Sequence, residues 1–210
     1  MTYTVKENFL TLQGEGVQTG SRAVFLRFSG CNLWSGREQD RATAQCTFCD
    51  TDFVGTDGEG GGKFPDAQSL VEQVESLWGP GNEARLVVIT GGEPMLQLDR
   101  ELIDVLHERG FRIAVESNGT LPAAEGIDWL CVSPKAGTDV VQRTGDELKL
   151  VWPQASIDPT ELEGWDFRNF LVQPMDCADR DAALQAAIQF VMERPKWRLS
   201  LQSHKVVGLP

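Results

Sequence analysis

The sequence predicts an α/β fold, a mostly parallel sheet of about six strands covered by helices and forming a partial, open β/α barrel. Three observations carry that expectation. Short apolar runs alternate with stretches of helical periodicity, as in repeated strand–helix units. Helical stretches thin out between the later strands, so a complete eight-unit barrel does not fit in 210 residues. No linker or internal repeat divides the chain, which is long enough to bury a full core as one domain, 1–210.

The elements follow in order. Residues 22–29 read as a first strand. A long polar segment, about 30–63, follows it, and five of its last nine residues are glycine. A loop of that length in a compact domain is usually functional or disordered. Its first half carries cysteines, and 55–62 reads as a mobile surface turn. Pro65 and Asp66 open a helix with Leu70, Val71, Val74, Leu77 and Trp78 on one face. Residues 85–90 form a buried strand, and 97–109 a helix stopped by Gly110. Strands are expected over 111–117, 127–133, 147–152 and 167–173, then an alanine-rich helix over 178–192 and a last strand over 197–203.

Composition removes several classes of function. A net charge of −12 and a pI near 4.6 argue against a nucleic-acid binder, which needs a basic face for phosphates, and do not favour an anionic membrane surface. No stretch approaches the ~20 apolar residues of a membrane span. The N-terminus lacks a basic segment followed by an apolar run, so no signal peptide is expected. Five cysteines then read as reduced thiols in the cytoplasm.

The chemistry concentrates in two motifs. Fourteen residues separate Cys31 from Cys46, and two separate Cys46 from Cys49. The Cys46–Cys49 pair alone suits zinc or a redox pair. Three thiolates without a clustered fourth are more pointed: an iron–sulfur cube held by three ligands keeps one iron open for an outside molecule. A structural zinc site usually takes four protein ligands. The other candidates, Cys131, Cys177, His107 and His204, show no second paired spacing. Cys131 lies in an apolar strand and reads as a small hydrophobe; His107 reads as a solvated or capping residue before Gly110.

The second motif is Thr90-Gly91-Gly92-Glu93-Pro94 at the end of a strand. Two glycines let the backbone approach a ligand with no side chain intervening. Alone they fit a tight strand–helix turn equally well; beside three cysteines they favour ligand binding. Asp50 and Thr51 are turn formers, or oxygen donors to a hard cation such as magnesium. Phe48 can stack on an adenine ring. Arg27 can fork onto a carboxylate or sit in a surface ion pair, and Lys135 can meet a ligand carboxylate or stay solvated.

Together these motifs resemble the radical S-adenosylmethionine enzymes, whose open iron chelates the amino and carboxylate groups of the methionine moiety. The commonest cysteine spacing there is three then two, so this chain carries an enlarged first interval. A narrower resemblance rests on Leu12-Gln13-Gly14-Glu15-Gly16, Arg27, the long interval, Cys49-Asp50-Thr51, Ser133-Pro134-Lys135, Gln173-Pro174-Met175-Asp176 and Ser203-His204-Lys205. In that order they resemble the 7-carboxy-7-deazaguanine synthase family, from about residue 8 to the C-terminus.

The resemblance implies conversion of 6-carboxy-5,6,7,8-tetrahydropterin to 7-carboxy-7-deazaguanine, with loss of ammonia, on the way to 7-deazapurines such as queuosine. It implies one 4Fe-4S cluster on Cys31, Cys46 and Cys49, S-adenosylmethionine regenerated in each turnover, and magnesium at Thr51. S-adenosylmethionine would be met by Phe48, Cys49, Asp50, Gly92, Glu93, Ser117, Ser133, Pro134, Lys135, Gln173, Pro174, Met175 and Asp176. The pterin would be met by Leu12, Gln13, Gly14, Glu15, Arg27, Thr90, His204 and Pro210. A homodimer and an electron donor such as flavodoxin or ferredoxin are also implied.

Three rival readings stand beside it. A glycyl-radical activase usually carries the short cysteine spacing, which this chain lacks. A zinc-stapled binding module would have no catalysis. A Cys-x-x-Cys oxidoreductase would open a helix with its pair, whereas here the pair ends a polar loop.

Overall fold

The computed structural model describes residues 2–210; Met1, the first residue of the expected domain, lies outside the described residues. One nine-stranded sheet organises it, in the order β3-β1-β2-β4-β5-β6-β7-β8-β9. Its strands are β1 (Tyr3–Leu12), β2 (Arg22–Phe28), β3 (Gly62–Phe64), β4 (Leu86–Gly91), β5 (Arg112–Ser117), β6 (Trp129–Val132), β7 (Thr144–Trp152), β8 (Asp166–Pro174) and β9 (Trp197–Leu199). From β2 to β9 neighbouring strands run parallel, while β1 pairs antiparallel with β2 and β3 antiparallel with β1. The expected open, mostly parallel α/β sheet is present. Its parallel part has seven strands rather than about six, extended at one edge by the antiparallel pair.

The helices are α1 (Ala67–Trp78), α2 (Arg100–Glu108), α3 (Pro159–Leu162), α4 (Arg180–Glu193) and α5 (Ser203–Val207). Asp66 caps α1 by accepting from Ser69 N at 2.8 Å, and Asp99 caps α2 by accepting from Leu102 N at 3.0 Å, each worth about 1 kcal/mol. The main core includes Leu70, Val71 and Val74 of α1 and Leu102, Ile103 and Leu106 of α2, with Leu26, Ile89, Val115, Leu150 and Val172 of the sheet. Strand alternation sends the intervening side chains to the opposite face. That face carries Phe25 and Arg27 of β2, Thr90 of β4, Glu116 of β5, Lys149 and Val151 of β7 and Gln173 of β8.

The sheet also curls. The loop after β1 reaches across to its far strands: Val17 N donates to Glu147 Oε2 of β7 at 3.1 Å, and Gly16 N to Ser200 Oγ, just past β9, at 2.9 Å. Those contacts enclose the alternate face and give the expected partial barrel its hollow.

Three expectations are corrected. β1 escapes a period-two reading because its ladder carries an irregularity between Val5 and Glu7, which shifts the alternation. The last strand ends at Leu199, and residues from Ser203 form α5 instead. The stretch 55–62, expected as a mobile turn, is stitched to β1: Asn8 N donates to Glu59 O at 2.7 Å, Gly58 N to Lys6 O at 3.0 Å, and Lys6 Nζ pairs with Asp52 and Asp57 at 2.7 Å each. His107 is exposed in the last turn of α2, as expected, and its Nε2 lies 2.9 Å from Asp128 Oδ2.

Candidate active site

The enclosed face forms a cavity of about 440 Å³ at the C-terminal ends of the parallel strands. Ligands of open α/β sheets bind at that end, because loops leaving the strands converge there. Most of the expected site residues line it: Leu12, Gln13, Gly14, Glu15, Arg27, Cys46, Phe48, Cys49, Asp50, Thr51, Thr90, Gly92, Ser117, Ser133, Lys135, Gln173, Pro174, Met175, Asp176, His204 and Pro210. Cys31, Glu93 and Pro134 are not on its wall, and each has a local reason.

Cys31 sits just behind the wall, directly after β2. A Cβ on Gly92 would lie 2.5 Å from the Cys31 Cβ and 2.3 Å from the Gly30 carbonyl, so only glycine lets β4 end against the cysteine. Gly91 needs its freedom for another reason, a φ of 151° with the Phe28 carbonyl close behind. Glu93 is fully buried beneath this junction. Its backbone N–H donates to Gly30 O at 3.0 Å. Its carboxylate accepts from Ser117 Oγ (2.9 Å), Met95 N (3.0 Å) and Asn118 N (2.8 Å), so it bolts the end of β4 to the end of β5. Burial raises its pKa, and these donors oppose that rise. The Pro134 carbonyl accepts from Gln154 Nε2 at 3.3 Å, which anchors the turn carrying Ser133 and Lys135.

The three thiols form the donor set. The Cys31 sulfur accepts from Leu33 N at 3.4 Å, and Cys49 Sγ lies 3.9 Å from the Thr51 carbonyl, to which its thiol donates. Burial pushes the Cys31 thiol up. The hydrogen bond from Cys46 draws Cys49 down to about 6, and the same bond, with burial, drives Cys46 up. Cys131 takes no part: it is buried, and its thiol points at Glu147 Oε1, 3.6 Å away. Cys177 meets the Asp179 carbonyl at 3.4 Å instead. Among the described residues no three His, Cys, Asp or Glu side chains close round a single ion. A cube carries each thiolate on its own iron and does not need that convergence, so the donor set fits a three-cysteine cube.

Lys135 Nζ, beside this loop, donates to Ser133 O (2.8 Å) and Oγ (2.6 Å) and lies 5.9 Å from the centre of the Phe48 ring. Burial lowers its pKa. Across the cavity the wall is acidic. Lys149, with 3% of its side chain exposed, lies 2.6 Å from Glu15 Oε2 and 2.5 Å from Glu116 Oε2. Burial alone would raise the Glu15 carboxyl, but the Lys149 charge and hydrogen bonds from Lys149, Gln202 and Gln173 hold it at about 2. Gln13 Nε2 donates to Glu116 Oε1 at 3.1 Å. Arg27 is committed through Nε to Glu7 Oε1 at 2.6 Å, its directly opposed residue on β1.

The C-terminal segment closes the mouth. Ser203 N and Oγ both donate to Gly14 O at 2.9 Å, His204 packs against Gly14, and Thr11 Oγ1 donates to Pro210 O at 3.3 Å. Lys205 spans Asp50 (2.8 Å) and Asp176 (2.5 Å). Sequence reasoning missed Glu116, Lys149, Asn118, Gln202 and Lys205 as wall residues. The first two did leave a signal: each is a charge at an inward position beside an apolar run, Ile113 to Val115 for Glu116 and Leu150 to Trp152 for Lys149.

Comparison with known proteins agrees with this geometry. Residues 39–147 match the Radical SAM superfamily, the match beginning inside the enlarged cysteine interval and so leaving out Cys31. The chain is 63% identical to the 7-carboxy-7-deazaguanine synthase of Caulobacter vibrioides and 58% identical to that of Burkholderia multivorans, in both cases over the whole of each chain. The Bordetella pertussis protein of the same name is 57% identical, again over the full length of both. The crystal structure of QueE from Escherichia coli superposes with a TM-score of 0.71 at 27% identity, covering 97% of this chain and 95% of that one. Full-length identity at this level, with Cys46, Cys49 and Gly92 on the wall of one cavity and Cys31 packed against Gly92, establishes that the chain belongs to the 7-carboxy-7-deazaguanine synthase family of radical S-adenosylmethionine enzymes.

Proposed function

We propose that the chain converts 6-carboxy-5,6,7,8-tetrahydropterin to 7-carboxy-7-deazaguanine with release of ammonia. The observation that carries this reading is a single cavity with a thiol loop on one side and a charged wall of Arg27, Glu15, Glu116 and Lys149 on the other. The cluster and S-adenosylmethionine, when bound, supply hydrogen-atom abstraction. The chain's own residues hold, orient and shield.

Cys31, Cys46 and Cys49 hold the cluster. Gly92 lets the methionine moiety approach the backbone, while Ser117, Ser133, Lys135, Gln173 and Pro174–Asp176 enclose the rest of S-adenosylmethionine, with Phe48 against its adenine. Glu93 and Pro134 act from behind the wall, by fixing the turns on which Gly92 and Lys135 stand. Arg27 keeps its terminal nitrogens for the pterin carboxylate, since Glu7 takes only Nε. Glu15 and Glu116 are acceptors for the pterin's N–H groups, and Lys149 keeps Glu15 ionised for that task. Leu12, Gln13, Gly14, Thr90, His204 and Pro210 complete the substrate side, and the C-terminal segment excludes water.

Several finer assignments belong to the same proposal. Thr51 gives magnesium a hard oxygen ligand beside the substrate. The chain works as one domain with its cluster loop at about 30–63, as a homodimer in the cytoplasm, reduced by a flavodoxin or ferredoxin. Among the described residues no helix is long and apolar enough to cross a membrane.

The test is anaerobic incubation of the iron-loaded chain with the pterin, S-adenosylmethionine, magnesium and a reductant, followed by mass analysis. The expected result is the deazaguanine product with unconsumed S-adenosylmethionine. Protein carrying one zinc instead of about four iron and four sulfide, and giving no product, would support the non-catalytic module.

A further inference from the structure

The enlarged interval between Cys31 and Cys46 is built round one side chain. Arg41 lies in a short 3-10 turn, Glu38–Thr43. Its guanidinium carbon stands 4.0 Å from the centre of the Trp34 ring, and its Nε donates to Glu38 Oε2 at 2.8 Å. One terminal nitrogen donates to two main-chain carbonyls, Thr47 O and Cys49 O, each at 3.1 Å. Trp34 is a firm platform: buried, edge-on to Phe53 at 5.6 Å, and donating its indole N–H to Arg37 O at 3.2 Å. The residues added between the first two cysteines thus carry a cation back onto the Cys46–Cys49 turn.

That hold has a geometric consequence for the Cys46–Cys49 turn. In a planar trans peptide the carbonyl and the following N–H point opposite ways. Drawing the Thr47 carbonyl toward Arg41 therefore fixes the direction of the Phe48 N–H, which lies in the same peptide between Cys46 and Cys49. Hydrogen bonds to sulfur and nearby charge are among the factors that set a cluster's reduction potential.

Resting on the reading that the three cysteines hold a cluster, we propose that Arg41 is a positioning residue for it. It pins the Cys46–Cys49 turn through the Thr47 and Cys49 carbonyls, fixes the direction of the Phe48 N–H, and adds a fixed positive charge beside the loop. The long interval is then the scaffold that presents this cation.

The experiment compares the full wild-type chain with Arg41→Gln and Arg41→Lys after anaerobic reconstitution. Three properties are read: iron content, iron release to a chelator, and the midpoint potential from a spectroscopically followed redox titration. Wild type is expected to hold about four iron. Arg41→Gln should load iron, release it about tenfold faster, as expected for lost charge-assisted hydrogen bonds, and titrate at a more negative potential. Arg41→Lys restores the charge but cannot both cover Trp34 and reach the two carbonyls. Its potential should return toward wild type while release stays fast. A Gln variant matching wild type in potential and release overturns the proposal and leaves the cluster reading intact. A wild-type chain that takes up one zinc overturns both.

Discussion

Lys149 Nζ lies 2.6 Å from Glu15 Oε2, and this contact joins the loop after the first strand to the inward face of the seventh. The lysine is also shared with Glu116, and Glu147 stands two residues before it on the same face of β7. One buried cation therefore compensates most of an acidic wall. Replacing it with Met should cost about 3–5 kcal/mol, the usual penalty for leaving buried charge unpaired. Urea unfolding would measure this, and an unchanged midpoint would mean the wall does not depend on Lys149.

The Glu15 carboxyl sets a pH dependence whose sign follows from its depressed pKa. In the folded chain it titrates near 2 against an ordinary 4.5. The stabilisation from its ion pair is therefore complete above 4.5 and is lost as pH falls from there toward 2. Thermal melts should separate wild type from Glu15→Gln at neutral pH, with the gap closing in that acid window. A gap that stays constant down to pH 2 would contradict the assignment.

Arg27 is half engaged before any substrate arrives, because Glu7 accepts from its Nε at 2.6 Å. Its terminal nitrogens are the part proposed to meet the substrate carboxylate. Arg27→Ala should raise the apparent KM about ten- to hundred-fold, and Arg27→Lys less, with iron content unchanged. Glu7→Gln should raise KM more modestly, since it loosens the guanidinium without removing it. Equal KM values for wild type and Arg27→Ala would take Arg27 out of the substrate site.

Gly92→Ala tests the junction between the two motifs. The new methyl would meet Gly30 O at 2.3 Å and the Cys31 Cβ at 2.5 Å, and backbone on one side leaves the cysteine to move. Iron uptake should fall sharply while the melting temperature of the metal-free chain changes little. Full iron loading of the variant would show that Cys31 does not depend on this contact.

Thr51→Val keeps the shape of the side chain and removes its hydroxyl. If that oxygen binds magnesium, turnover should lose its response to added magnesium, and S-adenosylmethionine should bind as before. An unchanged magnesium response would leave Thr51 as a turn residue.

Glu93 illustrates how far the sequence could be read. Its motif drew attention to the right strand end, yet the carboxylate is spent on Ser117, Asn118 and Met95 rather than on the cavity wall. Glu116 and Lys149 were overlooked for a related reason. A charge beside an apolar run of a strand is visible in the sequence, but its partner is not: Glu15 is 134 positions from Lys149. In β1 the obstacle was local, an irregular register that masks the two-residue period.

What the sequence by itself determined is what short-range chemistry encodes. Alternation and helical spacing placed most strands and the main helices, glycines marked the turn after β4, and the cysteines together with the Gly-Gly-Glu-Pro turn pointed to the radical S-adenosylmethionine enzymes. Only the tertiary structure decided which groups face one another. The curl of the sheet brings the loop after β1 against β7 and against Ser200 just past β9. The physical reason is range. Local conformational preference is written in neighbouring residues, whereas the pairing of distant charges depends on strand order and curvature, which the chain acquires only when its whole core packs.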